Sequence, residues 1–105
     1  MLDQKSLDKN KEEIRKDILQ KSLELKYLAN EHRLGIVMFL KKRNSATVGE
    51  ISDTLHLSFK GTSKHLLFLV KKGILIRHDD NPFVIYSLSS SSNLSYLIKQ
   101  IISSL

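Results

Sequence analysis

The stretch "LSFKGTSKHLLFLVKKGILIRH", residues 57–78, constrains this chain more than any other. Its second half places Leu66, Leu69 and Val70 at helical spacing, so one side must pack on a core. Ser58 is a good N-cap, because its hydroxyl can accept a backbone N–H of the first turn, and Gly73 supplies a C′ glycine. The chain then alternates through "ILIRH", turns at "DDNP", and alternates again through "FVIYSLS", both runs rich in β-branched and aromatic residues. A helix therefore hands over directly to a β-hairpin. The start of that helix is small and basic: Ser58, Lys60, Gly61, Thr62, Ser63 and Lys64, with no carboxylate.

The remaining elements follow from periodicity and caps. "LDKNKEEIRKDILQKSLELKYLAN" reads as a helix with Ile14, Ile18, Leu25 and Leu28 on one face and Leu19, Leu23 and Tyr27 in a second stripe. Two stripes exceed what one small domain buries, so a partner surface is expected. Asn30 can cap the next helix, "EHRLGIVMFLKKRN", whose broad apolar face holds Leu34, Val37, Met38, Phe39 and Leu40. Thr47 and Glu50 have capping-box spacing, which starts a short third helix. After a serine run, Leu94, Leu97, Ile98, Ile101, Ile102 and Leu105 define a last amphipathic helix. The predicted order is four helices, a hairpin and a C-terminal helix.

Charge says more by position than in total. The net charge is +6, carried entirely by residues 32–105, since residues 1–31 hold seven basic and seven acidic side chains. Between Ser58 and His78 stand Lys60, Lys64, Lys71, Lys72 and Arg77 and no acid. Such an uncompensated segment points to a polyanion. The 105 residues leave room for one domain. The charged N-terminus has no apolar signal core, and the apolar runs are far too short to span a membrane. Cysteine is absent, which excludes disulfides, thiolate ligands and cysteine nucleophiles and fits a reducing, cytoplasmic setting.

Two short helices joined by a tight turn, the second basic at its start, make a helix-turn-helix; a hairpin directly after it makes a winged helix. The start of the second helix must approach DNA closely, so it needs small residues, hydroxyls for phosphates, and lysines. A carboxylate there would be repelled. No nucleophile elbow, phosphate loop or paired-carboxylate site is present, so an enzyme is not expected.

Three stretches resemble the ArsR/SmtB family of winged-helix repressors. "LANEHRLGIVMFL" is similar to the family's Leu-Ala, cap, Arg-Leu opening of an apolar helix. "VGEISDTLHLSFKGTSKHLLFLVKKGIL" is similar to its Leu-x-Leu-Ser, Ser-x-His-Leu and Gly-Leu pattern, and "FVIYSL" to its second wing strand. The resemblance covers about residues 25–88. It implies a mainly α, winged helix-turn-helix fold dimerising through its terminal helices: 1–29, a core of 30–88, and 91–105. It also implies a regulator, a repressor by the family's habit, that binds duplex DNA at a pseudo-palindromic operator. The family's metal sites do not carry over. Thr47 and Gly49 stand where metal-sensing members place cysteines, and past Asp80 there is no His, Asp, Glu or Cys. No cofactor is expected. The wing turn holds two aspartates where basic residues are common, leaving Arg77 as its basic contact. His56 stands at the turn position usually held by glycine, a residue that tolerates positive φ.

The expected DNA contacts are thus Ser58, Lys60, Gly61, Thr62, Ser63, Lys64, Leu67 and Arg77. The expected dimer surface is Ile14, Ile18 and Leu25 with Leu94, Leu97, Ile98, Ile101, Ile102 and Leu105. His65 reads as a packing and hydrogen-bonding residue, and His32, His56 and His78 are scattered without the i, i+4 spacing of a helical metal site. Two other readings are open: a winged helix that binds protein as an adaptor module, which the acidic wing turn favours, and single-stranded nucleic acid binding, for which Phe59 alone is too little aromatic surface.

Overall fold

The computed structural model describes residues 4–90 together with residues 100 and 103. Four helices, α1 (Gln4–Leu28), α2 (Glu31–Arg43), α3 (Val48–Leu55) and α4 (Phe59–Lys71), alternate with three strands, β1 (Ser45–Thr47), β2 (Leu75–Asp80) and β3 (Phe83–Leu88). The caps read from the sequence are in place. Asn30 Oδ1 accepts from the backbone of His32 (3.0 Å) and Arg33 (3.1 Å). Gly73 has φ 75°, which lets the chain leave α4 and enter β2 without a Cβ clash.

The core forms where α2, α3 and α4 meet the sheet. Ile36, Val37 and Leu40 of α2, Ile51 of α3, and Leu66 and Leu69 of α4 are buried with Ala46, Ile74 and Leu75. Each such aliphatic side chain contributes about 1.5–3 kcal/mol by leaving water. Tyr86 and Leu88 pack against this core from β3.

The hairpin departs from expectation in two respects. Asp79 and Asp80 belong to β2, so the connection to β3 shrinks to Asn81 and Pro82. A third strand, β1, pairs antiparallel with β3 (Ala46 opposite Tyr86, Thr47 opposite Ile85), giving the order β1-β3-β2. Three residues are too few to show an alternating pattern, and their partner lies about forty residues away, so local signals do not reveal this strand.

Helix α1 reaches the core only near its end, where Glu24 and Leu28 are buried and Tyr27 is packed alongside. Ile14, Ile18, Leu19 and Leu25 remain 50–63% exposed. The Cα radius of gyration, 17.0 Å, exceeds the roughly 13 Å of a spherical domain this long. A 25-residue helix spans about 37 Å, so α1 projects as an arm with apolar side chains along it. The residues expected to form the other half of the dimer surface, Leu94, Leu97, Ile98, Ile101, Ile102 and Leu105, lie outside the described residues.

Candidate nucleic-acid interface

The helix-turn-helix is held by local hydrogen bonds that the sequence specifies. Thr47 Oγ1 accepts from the Glu50 backbone N–H (3.2 Å), while a Glu50 carboxylate oxygen accepts from the Thr47 N–H (3.1 Å). The Thr47 N–H, against some desolvation, holds the Glu50 carboxyl below the usual range, helped by the Thr47 hydroxyl, which also donates to the carboxylate (3.2 Å), and by the charge of Arg43. At the end of α3, His56 adopts φ 55°. The left-handed residue reverses the chain so that the Leu57 N–H reaches the Ser52 carbonyl at 2.9 Å.

Ser58 then caps α4, its Oγ accepting from the Gly61 N–H at 2.9 Å. Gly61 is required by this cap: a Cβ there would stand 2.8 Å from Ser58 Oγ. The helix sorts its side chains sharply. Leu66 and Leu69 are buried, while Lys60, Lys64, Leu67 and Lys71 are exposed on the other side, Leu67 by 55%. The first turn contains no acid. The N-terminal end of a helix carries partial positive charge, so a lysine there opposes the macrodipole and costs a few tenths of a kcal/mol. The same arrangement concentrates positive potential where a phosphate can reach it.

One expected contact is corrected. Thr62 is fully buried, and its hydroxyl donates to the Ser58 carbonyl at 2.8 Å. Its position four residues before Leu66 and seven before Leu69 puts it on the packing face, and helical spacing alone could have placed it there. Ser63 and Gly61 are half-buried at the margin of the exposed side, and Ser58 is exposed. Arg77 is exposed on β2 and lies 3.4 Å from Asp79, so the wing's basic side chain is partly neutralised by its own acid.

The fold also assembles a cluster that no sequence spacing announces. The rings of His32 and His65 lie with centroids 5.5 Å apart. The Arg33 guanidinium sits 4.3 Å from the centroid of Phe68, and Lys72 lies over both Phe68 and Tyr27. Burial, then the charges of His32 and Arg33, holds His65 below the ordinary histidine range. No group of three or more His, Cys, Asp or Glu side chains able to hold a metal occurs among the described residues. Thr47 is engaged as a cap, and Gly49 has no side chain. No described helix is long and apolar enough to cross a membrane.

Known proteins share both the sequence and the geometry. Residues 30–77 match the family described as bacterial regulatory protein, arsR family. The chain is 37% identical over 82 residues to the transcriptional activator HlyU of Vibrio cholerae serotype O1, covering 78% of this chain and 75% of that protein. The structure of reduced HlyU from Vibrio cholerae superposes with a TM-score of 0.74 at 34% identity, covering 89% of this chain and 92% of that one. The transcriptional repressor BigR from Xylella fastidiosa shares the fold, with a TM-score of 0.77 over 90% of this chain and 88% of that one at 22% identity. A capped helix-turn-helix with a basic second helix, a sheet wing behind it, and this degree of identity to a transcriptional regulator have one explanation: the chain belongs to the ArsR family of bacterial transcriptional regulators.

Proposed function

We propose that this chain acts as a homodimer that binds a pseudo-palindromic duplex DNA operator through α4 and represses transcription by occupying it. The observation that carries this reading is the division of α4 into a buried apolar side and an exposed side of Lys60, Lys64, Leu67 and Lys71, starting from an acid-free turn. Lys60, Ser63 and Lys64 meet phosphates or base edges in the major groove, Leu67 is placed for a thymine methyl, and Arg77 touches backbone from the wing. Ser58 and Gly61 shape the entry to the helix and allow its close approach. The apolar arm of α1, with Ile14, Ile18 and Leu25, supports pairing with a second copy, because a patch of that kind is seldom left open to water. Two-fold pairing of the α4 helices gives the operator its symmetry. Regulation proceeds without metal at the cysteine positions of other members, since Thr47 and Gly49 offer no such ligands.

Selecting bound duplexes from a random pool tests the whole reading. The expected outcome is a consensus of two inverted half-sites. A pool with no enrichment, or a single unpaired half-site, would refute it. The adaptor reading keeps one observation in its favour: Ile76 (50%) and Phe83 (61%) are exposed on the wing beside Asp79 and Asp80. Duplex affinity independent of salt would move that reading ahead, and duplicating a promoter-bound reporter assay with the operator moved downstream of the start site checks the sign of regulation.

A further inference from the structure

We propose that His32 and His65, backed by Arg33, grip a DNA phosphate at the edge of the groove that α4 enters, so that duplex binding takes up protons. The inference rests on the duplex-binding reading above. His32 is the second residue of α2 and lines a cleft with His56 and Leu57 of the turn before α4, and His65 stands one turn after Gly61, so the pair lies beside the entry to α4. Both are partly exposed, and their rings are tilted by 44° rather than stacked. Two imidazoles at a 5.5 Å centroid separation can each donate to one of the two unesterified oxygens of a single phosphate, through charge-assisted bonds of about 2.7–2.9 Å.

Arg33 argues against simple packing. Its guanidinium is fixed against Phe68, three residues beyond His65, and its Nε is buried with no acceptor among the described residues. Three groups that carry or can acquire positive charge converge there, an arrangement suited to an anion. Other charged or titratable groups surround the cluster, and on α1 Glu24 is buried about one turn before Tyr27. Glu31 lies 3.8 Å from His32 Nε2, but its side chain is 86% exposed on the solvent side. His56, from the turn after α3, lines a shallow cleft with Glu31 and His32. Lys64 adjoins His65 on α4, and Lys72 reaches the far side of the cluster over Phe68 and the Tyr27 ring of α1.

The direction of the effect follows from these charges. In the unbound protein, burial and the neighbouring His32 and Arg33 favour neutral His65. A phosphate at hydrogen-bonding distance favours the charged form instead. The bound state then holds more protons than the unbound state, and affinity rises as pH falls.

The test measures binding to a fluorescent duplex of random sequence at low salt, from about pH 8 to 5.5, where histidine titrates. Expected is about a tenfold gain in affinity per pH unit for each proton taken up. His32→Gln and His65→Gln should each flatten this dependence, while His78→Gln on the wing should leave it intact. Because His65→Gln could disturb packing, the histidine C2 proton resonances of the wild-type protein provide a second measure: the His65 midpoint should move up when the duplex is added. A flat pH profile, an unmoved His65 midpoint, or a pH dependence abolished by EDTA (which would indicate a bridging metal) overturns the proposal. Lys60→Ala with Lys64→Ala separates the two readings. If that variant binds like wild type, the placement of α4 has failed; if it loses affinity while the pH profile of the wild type is flat, only the phosphate grip has failed.

Discussion

Replacing Lys60 and Lys64 together by alanine tests the placement of α4 most directly. Both side chains are exposed, and neither makes an ion pair or hydrogen bond among the described residues, so the fold should notice little. Exposed substitutions of this kind stay within about 0.5 kcal/mol. The lysines are four residues apart, about one turn along the same face. In the proposed dimer the double substitution removes four positive charges from the interface. At about 0.9 per neutralised phosphate, the slope of log affinity against log salt should become shallower by about 3.6. If the two proteins bind equally at about 1 M salt, the variant is weaker by about 4000-fold at 0.1 M. Fluorescence anisotropy across a salt series reads both quantities. Lys9→Ala with Lys16→Ala, on the exposed arm α1, removes the same net charge and should change binding little. Wild-type affinity and slope in the Lys60/Lys64 variant would refute the reasoning. A lost sequence preference with an unchanged slope would mean that the lysines read base edges instead.

Other outcomes follow from the same structure. Ile14→Glu with Ile18→Glu should convert a sedimenting dimer to a folded monomer, because both side chains are exposed on the arm and a carboxylate cannot be buried there unpaired; an unchanged dimer would place the interface elsewhere. Thr62→Val should fold within about 1.5 kcal/mol of wild type and leave the salt slope unchanged, since its hydroxyl serves only the Ser58 carbonyl; a shallower slope would restore it as a DNA contact. Glu50 has a lowered pKa in the folded state, so its contribution is present above the ordinary carboxylate range and is lost as pH falls through the folded value. Thermal melts of Glu50→Gln, which can still cap, should lose that part of the acid sensitivity.

The parts of the fold legible in the sequence are those governed by short-range chemistry. Asn30, Thr47 with Glu50, Ser58 and Gly73 act within four residues of themselves, and each occupies its expected place. His56 in the left-handed region was legible for the same reason. Strand β1 and the His32–His65 contact were not, because each depends on partners more than thirty residues away. Thr62 is different: its spacing to Leu66 and Leu69 carried the answer, while its hydroxyl suggested a phosphate contact. The projection of α1 was half legible. Its stripes indicated excess apolar surface, but only packing showed that Glu24, Tyr27 and Leu28 are the part of the arm that is covered.

Thr47 ends β1 and caps α3, and within β1 it stands opposite Ile85 of β3. One residue thus fastens the wing to the first helix of the reading motif. The base of a wing tied in this way is held to α3 through Tyr86 and Ile85. In the proposed dimer, adjustment to an operator would then fall to the distance and tilt between heads, which the paired arms would set. If two copies pair through α1 as proposed, control would act on that yoke, and the reading surface itself need never change shape.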